Sequence, residues 1–159
     1  MSNPNRADVA SRHVAASAEA IYRAFMSGED YRTWLPPGGM TATVDLYEPR
    51  AGGAYRVTLA YDASVRGVRG KTSPRADVTR GHFLELVPNQ RIVQSAVFES
   101  DDPRFAGTMK ITWTFEQMPK GTRVTVAATD VPDGIDKNDH QAGLAASLAN
   151  LAAFVEARG

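Results

Sequence analysis

DKNDHQAGLAASLANLAAFVEARG, residues 136–159, closes the chain, and its reading decides the fold. Leu144, Leu148, Leu151 and Val155 recur at helical spacing, which predicts one amphipathic helix of roughly twenty residues. His140 falls on the same stripe, and Phe154 is offset from it. The flanking residues are small: Ala142, Gly143, Ala145, Ala146, Ser147 and Ala149. A helix with such flanks either packs very closely on its neighbour or leaves a void beside it.

Upstream of this helix the period is two. TATVDLYEP alternates Val44 and Leu46 against Thr43 and Asp45, and AYRVTLAY places Tyr55, Val57, Leu59 and Tyr61 on one face. VTRGHFLELV, RIVQSAVFE, GTMKITWTFEQ and TRVTVAATD follow, separated by PNQ, DDPRFAG and PKG. Successive strands joined by short turns predict an antiparallel meander. Ahead of it lie a strand in DVASRHVAAS and a helix in SAEAIYRAF, with Ser17 as N-cap and Glu19 in the first turn. A second short helix, around Gly28 to Leu35, ends at Pro36. The predicted order is strand, two helices, six strands and a long helix: an α+β layout in which a curved sheet wraps the last helix. Residues 1–8 read as a loose N-terminus and 9–159 as one domain.

Composition narrows the chemistry. The chain has 159 residues, 18 acidic and 18 basic, so net charge gives no reason to expect a nucleic acid or membrane partner. There is no cysteine, which excludes disulfides and thiolate chemistry. No stretch is long and apolar enough to span a bilayer and no leader pattern is present, so a cytoplasmic location is the expectation. The three histidines, His13, His82 and His140, are scattered and make no metal-ligand spacing. No nucleophile elbow, phosphate loop or dinucleotide fingerprint occurs, so neither a cofactor nor a catalytic set is expected. The long basic loop 62–77, with Arg66, Arg69, Lys71 and Arg75, reads as a solvated hairpin tip without interleaved aromatics.

Some positions remain open. On VTRGHFLELV both alternating sets are mixed. If Val78, Arg80, His82, Leu84 and Leu86 face inward, His82 meets a ligand; if not, Arg80 stands in water at the strand end. His140 either bonds a ligand or is a boundary residue satisfied by the protein. Met109, Ile111, Trp113 and Phe115 share a face, as do Ile92, Gln94, Ala96 and Phe98. Trp34, in YRTWLPPGG, stands where regular structure must stop. It is either a rim residue of a cavity mouth or a plug in the small core under the helices.

SAEAIYRAFMSGEDYRTWLPPGG, DLYEPRAGGAYRV, GHFLELVPNQRIVQS, GTMKITWTFEQMPKGTRVTV and GLAASLANLAAFV, in that order, resemble the START/Bet v 1-like SRPBCC superfamily. The branch they resemble is related to the C-terminal domain of the heat-shock protein 90 ATPase activator. The likeness covers roughly residues 9 to 156. It implies a helix-grip fold, a seven-strand antiparallel sheet around a C-terminal helix over an internal cavity. Relatives bind lipids, hormones or polyketides, and some cyclise or hydrolyse them. The branch often carries tryptophan where this chain has Leu144, so a roomier inner wall is expected. The expected function is binding of a small apolar or amphipathic ligand. The cavity candidates are Trp34, Met40, Tyr61, His82, Phe98, Met109, Trp113, His140, Leu144 and Leu148. The rivals are a cyclase or hydrolase using His82, His140 or Tyr61, and an activator-like protein-interaction module. Nothing in the sequence chooses between a monomer and a homodimer.

Overall fold

A computed structural model describes residues 6–36, 40–61 and 76–158 of the chain, without the side chains of Tyr61 and Ala76. The strands are β1 (Ala7–Val14), β2 (Met40–Tyr47), β3 (Ala54–Tyr61), β4 (Ala76–Val87), β5 (Arg91–Phe98), β6 (Met109–Met118) and β7 (Gly121–Thr129). The helices are α1 (Ala18–Arg23), α2 (Gly28–Trp34) and α3 (Lys137–Arg158), with one 3₁₀ turn at Pro103–Phe105. All seven strands form one antiparallel sheet in the order β1-β7-β6-β5-β4-β3-β2. The two short helices carry the chain from β1 to the far edge, and the meander returns strand by strand until β7 pairs with β1. This is the helix-grip architecture, with α3 gripped by a curled sheet.

Local chemistry sets the elements. The hydroxyls of Ser17 and Ser27 accept from the backbone N–H of Ala20 and Asp30, capping α1 and α2. Residues in the left-handed region, Asn89 and Lys120, make the tight turns after β4 and β6. Gly81 is obligatory, because a Cβ there would stand 1.8 Å from the Ser95 carbonyl oxygen. The same carbonyl accepts from the Tyr55 hydroxyl at 2.6 Å.

α3 does two jobs with neighbouring positions. Leu148, Leu151, Ala152 and Val155 are buried against the sheet. Beside them, Gln141 accepts from the Val9 N–H and Glu156 from the Ala15 N–H, which satisfies the free edge of β1. The spacing makes this possible. Fifteen helical residues rise about 22 Å, and six strand residues about 20 Å. The helix also ends α2. Ser147 donates to the Leu35 carbonyl at 2.7 Å, and Asn150 to that of Pro36 at 2.8 Å. Carbonyls left over at a helix C-terminus thus gain partners from a distant element.

Two expectations are corrected, and one open question is decided. β1 starts at Ala7, so Asp8 is a fully buried strand residue and not part of a loose terminus. Leu46 does not share the face of Val44. The register shifts between them, and the bulge turns Leu46 outward to 45% exposure while Tyr47 points in. A second shift between Phe83 and Glu85 explains the mixed faces of β4. Asp77, Thr79, Gly81 and Phe83 point inward before it, and Leu86 after it, which leaves Leu84 52% exposed.

Candidate functional site

The inward-pointing residues of the sheet do not form one continuous core. A large cluster gathers Trp34, Phe25, Phe83, Trp113, Phe115, Leu148 and their neighbours under α1 and α2. A smaller one joins Ala96, Met109, Ala128, Val131 and Ile135 beneath the segment that leads into α3. Ile111 packs against both. Around it a strip of half-exposed side chains crosses the concave face: Leu59, Thr79, Phe98 and Ile111 on the sheet, Leu144 on α3. On α3, next to Leu144, a Cβ at Gly143 would meet nothing within 4 Å. The apolar members of this strip pack on the clusters by one side and remain partly open on the other.

The candidate residues separate accordingly. Phe98, Ile111's neighbour Met109 and Leu144 lie at or under the strip, and Met40 is half-buried on the inward face of β2. Leu148 and Trp113 are core residues at its margin. Trp34 is no rim residue: it is 1% exposed, its indole N–H donates to the Ala24 carbonyl at 3.0 Å, and its ring meets Phe25, Tyr31 and Trp113 edge-on. The helix stops beside it at Leu35, ahead of Pro36, and the indole packs beneath the helices. The side chain of Tyr61, the Pro37 to Gly39 loop and residues 62–75 of the basic loop lie outside the described residues.

The histidines do not converge. His82 is exposed on the outer face of β4, where Arg80 also stands, 3.9 Å from Glu99. His140 sits at the start of α3, with Nδ1 2.7 Å from Oδ2 of Asp8. Arg6 closes the same carboxylate with two bonds of 2.9 and 2.8 Å, and its Nη2 also donates to the Ile135 carbonyl. Burial alone would raise the Asp8 carboxyl. The hydrogen bonds from Arg6 and His140 outweigh it and hold the group below the ordinary carboxylate range. Among the described residues, no three acidic or histidine side chains gather as a metal site.

Two polar residues at the strip were not singled out from sequence. Gln94 is 1% exposed on β5, directly opposite Phe83 on one side and Ile111 on the other. Its Oε1 accepts from the Trp113 indole at 2.9 Å, and its Nε2 has no acceptor. Tyr31, on α2, is buried beside it. Burial pushes the Tyr31 phenol up to about 12, and the Gln94 amide partly offsets that. The available signal was a glutamine on the inward set Ile92, Gln94, Ala96 and Phe98, an amide placed among apolar neighbours.

The family model for activator of Hsp90 ATPase homolog 1-like proteins matches residues 15–156. The chain belongs to that family. With it comes membership of the SRPBCC superfamily. A solved Chromobacterium violaceum protein is 31% identical, with 94% of this chain and 96% of that one covered at a TM-score of 0.82. A Rhodobacter sphaeroides protein, 19% identical, covers 100% of this chain and 99% of its own at 0.78. An AHSA1-like protein from Aeromonas hydrophila, 20% identical, covers 97% and 94% at 0.72. The last two show the fold alone. None of the curated proteins matches the chain.

Proposed function

We propose that the chain binds a small, mainly apolar molecule on the concave strip between the sheet and α3. One observation carries the reading: the inner face is split into two buried clusters whose margins hold partly buried apolar side chains, Leu59 and Leu144 on the large one, Phe98 on the small one and Ile111 on both. Apolar side chains left half-wet on a concave surface gain free energy when an apolar guest covers them, at about 25 cal/mol per Å². Membership of the family supports the same reading. Leu144 gives the direct test. Leu144→Trp should fill the strip from the helix side, keep the fold, and weaken binding of an apolar fluorescent probe at least tenfold. Native mass spectrometry of protein purified from its own host should show a retained small molecule. An L144W variant that binds the probe like the parent would place the site elsewhere.

A second reading, an activator-like module that docks on a protein partner, rests on the family match. Protein that carries no small molecule from its host and binds no apolar probe would favour it. Acid–base catalysis by histidine has less support, since His82 stands on the outer face of β4 and His140 is bonded to Asp8.

A further inference from the structure

We propose that Gln94 is the polar anchor of this strip, and that it selects ligands carrying a neutral oxygen acceptor such as a ketone, ester or ether. The inference rests on the small-molecule reading above and adds the chemistry of the guest. Trp113 decides the orientation of the amide. An indole N–H can only donate, so the glutamine oxygen must face it at 2.9 Å, and the NH₂ group must face the other way. That group carries two donors, is shut off from water and completes no hydrogen bond, although the Tyr31 hydroxyl stands beside it. Buried donors without partners are rare in folded proteins, and each needs an explanation. Only the oxygen end of this amide completes a hydrogen bond within the protein.

Position sets the free end between Tyr31 and the strip. In the sheet register Gln94 lies opposite Ile111, the half-exposed residue shared by both clusters. Ile111 is the side chain that gives way when a guest reaches the amide. Tyr31, buried on α2 within influence of the same amide, supplies a hydroxyl next to the anchor. The charge of the guest follows from what is missing around it. None of the described inward-pointing residues on β2 to β6 is a lysine or arginine. A carboxylate or phosphate would lose its hydration with no cation among these residues to replace it, whereas a neutral oxygen needs only one good donor.

A matched pair of probes tests this on the full chain. 2-Acetylnaphthalene and 2-ethylnaphthalene have nearly the same shape and differ in the acceptor oxygen. The parent protein should bind the ketone on the order of tenfold more tightly, the equivalent of about 1.4 kcal/mol. Gln94→Met should erase that preference while still binding the ethyl probe. Because the variant also leaves the Trp113 indole without its acceptor, a measurement on the parent stands beside it. The Gln94 side-chain NH₂ resonances should shift on adding the ketone and stay in place with the ethyl probe. Equal affinities for the two probes in the parent protein would overturn the anchor and leave the binding reading intact. So would unmoved NH₂ resonances in the ketone complex. Failure of both probes to bind up to their solubility would overturn the anchor and the binding reading together.

Discussion

Trp34 illustrates how a single residue's neighbours set its worth. Its indole lies against Phe25, Tyr31 and Trp113 with ring centroids 4.8, 5.3 and 5.7 Å away, and its N–H is satisfied by a backbone carbonyl. Trp34→Ala removes a large buried side chain and leaves a carbonyl without its donor. The expected cost is about 3–5 kcal/mol, a fall in Tm on the order of 10 °C for a chain of this size. A loss under about 1 kcal/mol in urea melts would mean that the ring is only partly withdrawn from water. His82 gives the contrast. Its side chain is exposed and its backbone N–H, bonded to Ser95, survives substitution. His82→Ala should change stability by no more than about 0.5 kcal/mol and leave probe binding untouched. A lost binding signal would reassign the outer face.

At the scale of the element, α3 is held by two sets of contacts with different physics. The apolar set is dense: Leu148 and Leu151 are fully buried. Leu148→Asp places a charge in that interface and should destabilise by roughly 3 kcal/mol or more; an unchanged Tm would mean that this stripe does not face the sheet. The polar set is sparse and lies at the rim. Gln141→Ala with Glu156→Ala removes only the acceptors for Val9 and Ala15, a cost of about 0.5–1.5 kcal/mol each. Hydrogen exchange should then quicken at those two amides, while the β1 amides bonded to β7 stay protected. Uniform loss of protection along β1 would show that the two bonds hold the strand itself and not just its edge.

Across the whole molecule, the Asp8 carboxylate joins parts far apart in the chain. It binds Arg6 beside it and His140 at the head of α3, while Arg6 reaches the carbonyl of Ile135. Its native pKa lies below the ordinary value, so the native state favours the ionised form. That stabilisation is fully present above the unfolded value of about 3.9 and is lost as the pH falls through the native one. Asp8→Asn should therefore be less stable than the parent at pH 7, and the gap should narrow as the pH drops below about 4. Urea melts at pH 7, 5 and 3 measure this. A gap that stays constant to pH 3 would mean that shape, not charge, makes the difference.

Much of this architecture was legible because its signals are local. The stripe of Leu144, Leu148, Leu151 and Val155, the serine caps and the short turns each lie within a few residues, and together they order the elements. Family likeness ran along the same order. The two bulges were not legible. A period-two reading carries Val44 onto Leu46 and Leu84 onto Leu86 without a break, and one inserted residue turns every later side chain to the other face. The site depends on that parity, since it sets which of Gly81 and His82 looks inward.

By itself the sequence therefore determined the element order, the fold class and the apolar stripe of α3, because periodicity and turn chemistry act over a few bonds. Only the tertiary structure decided that Trp34 is core, that His140 belongs to Asp8, and that Gln94 keeps an unspent donor. Asp8 and His140 are 132 positions apart in the chain, and Trp113 stands 19 from Gln94. Whether such groups meet depends on strand register and on how the sheet curls around α3, and those follow from the packing of the whole chain.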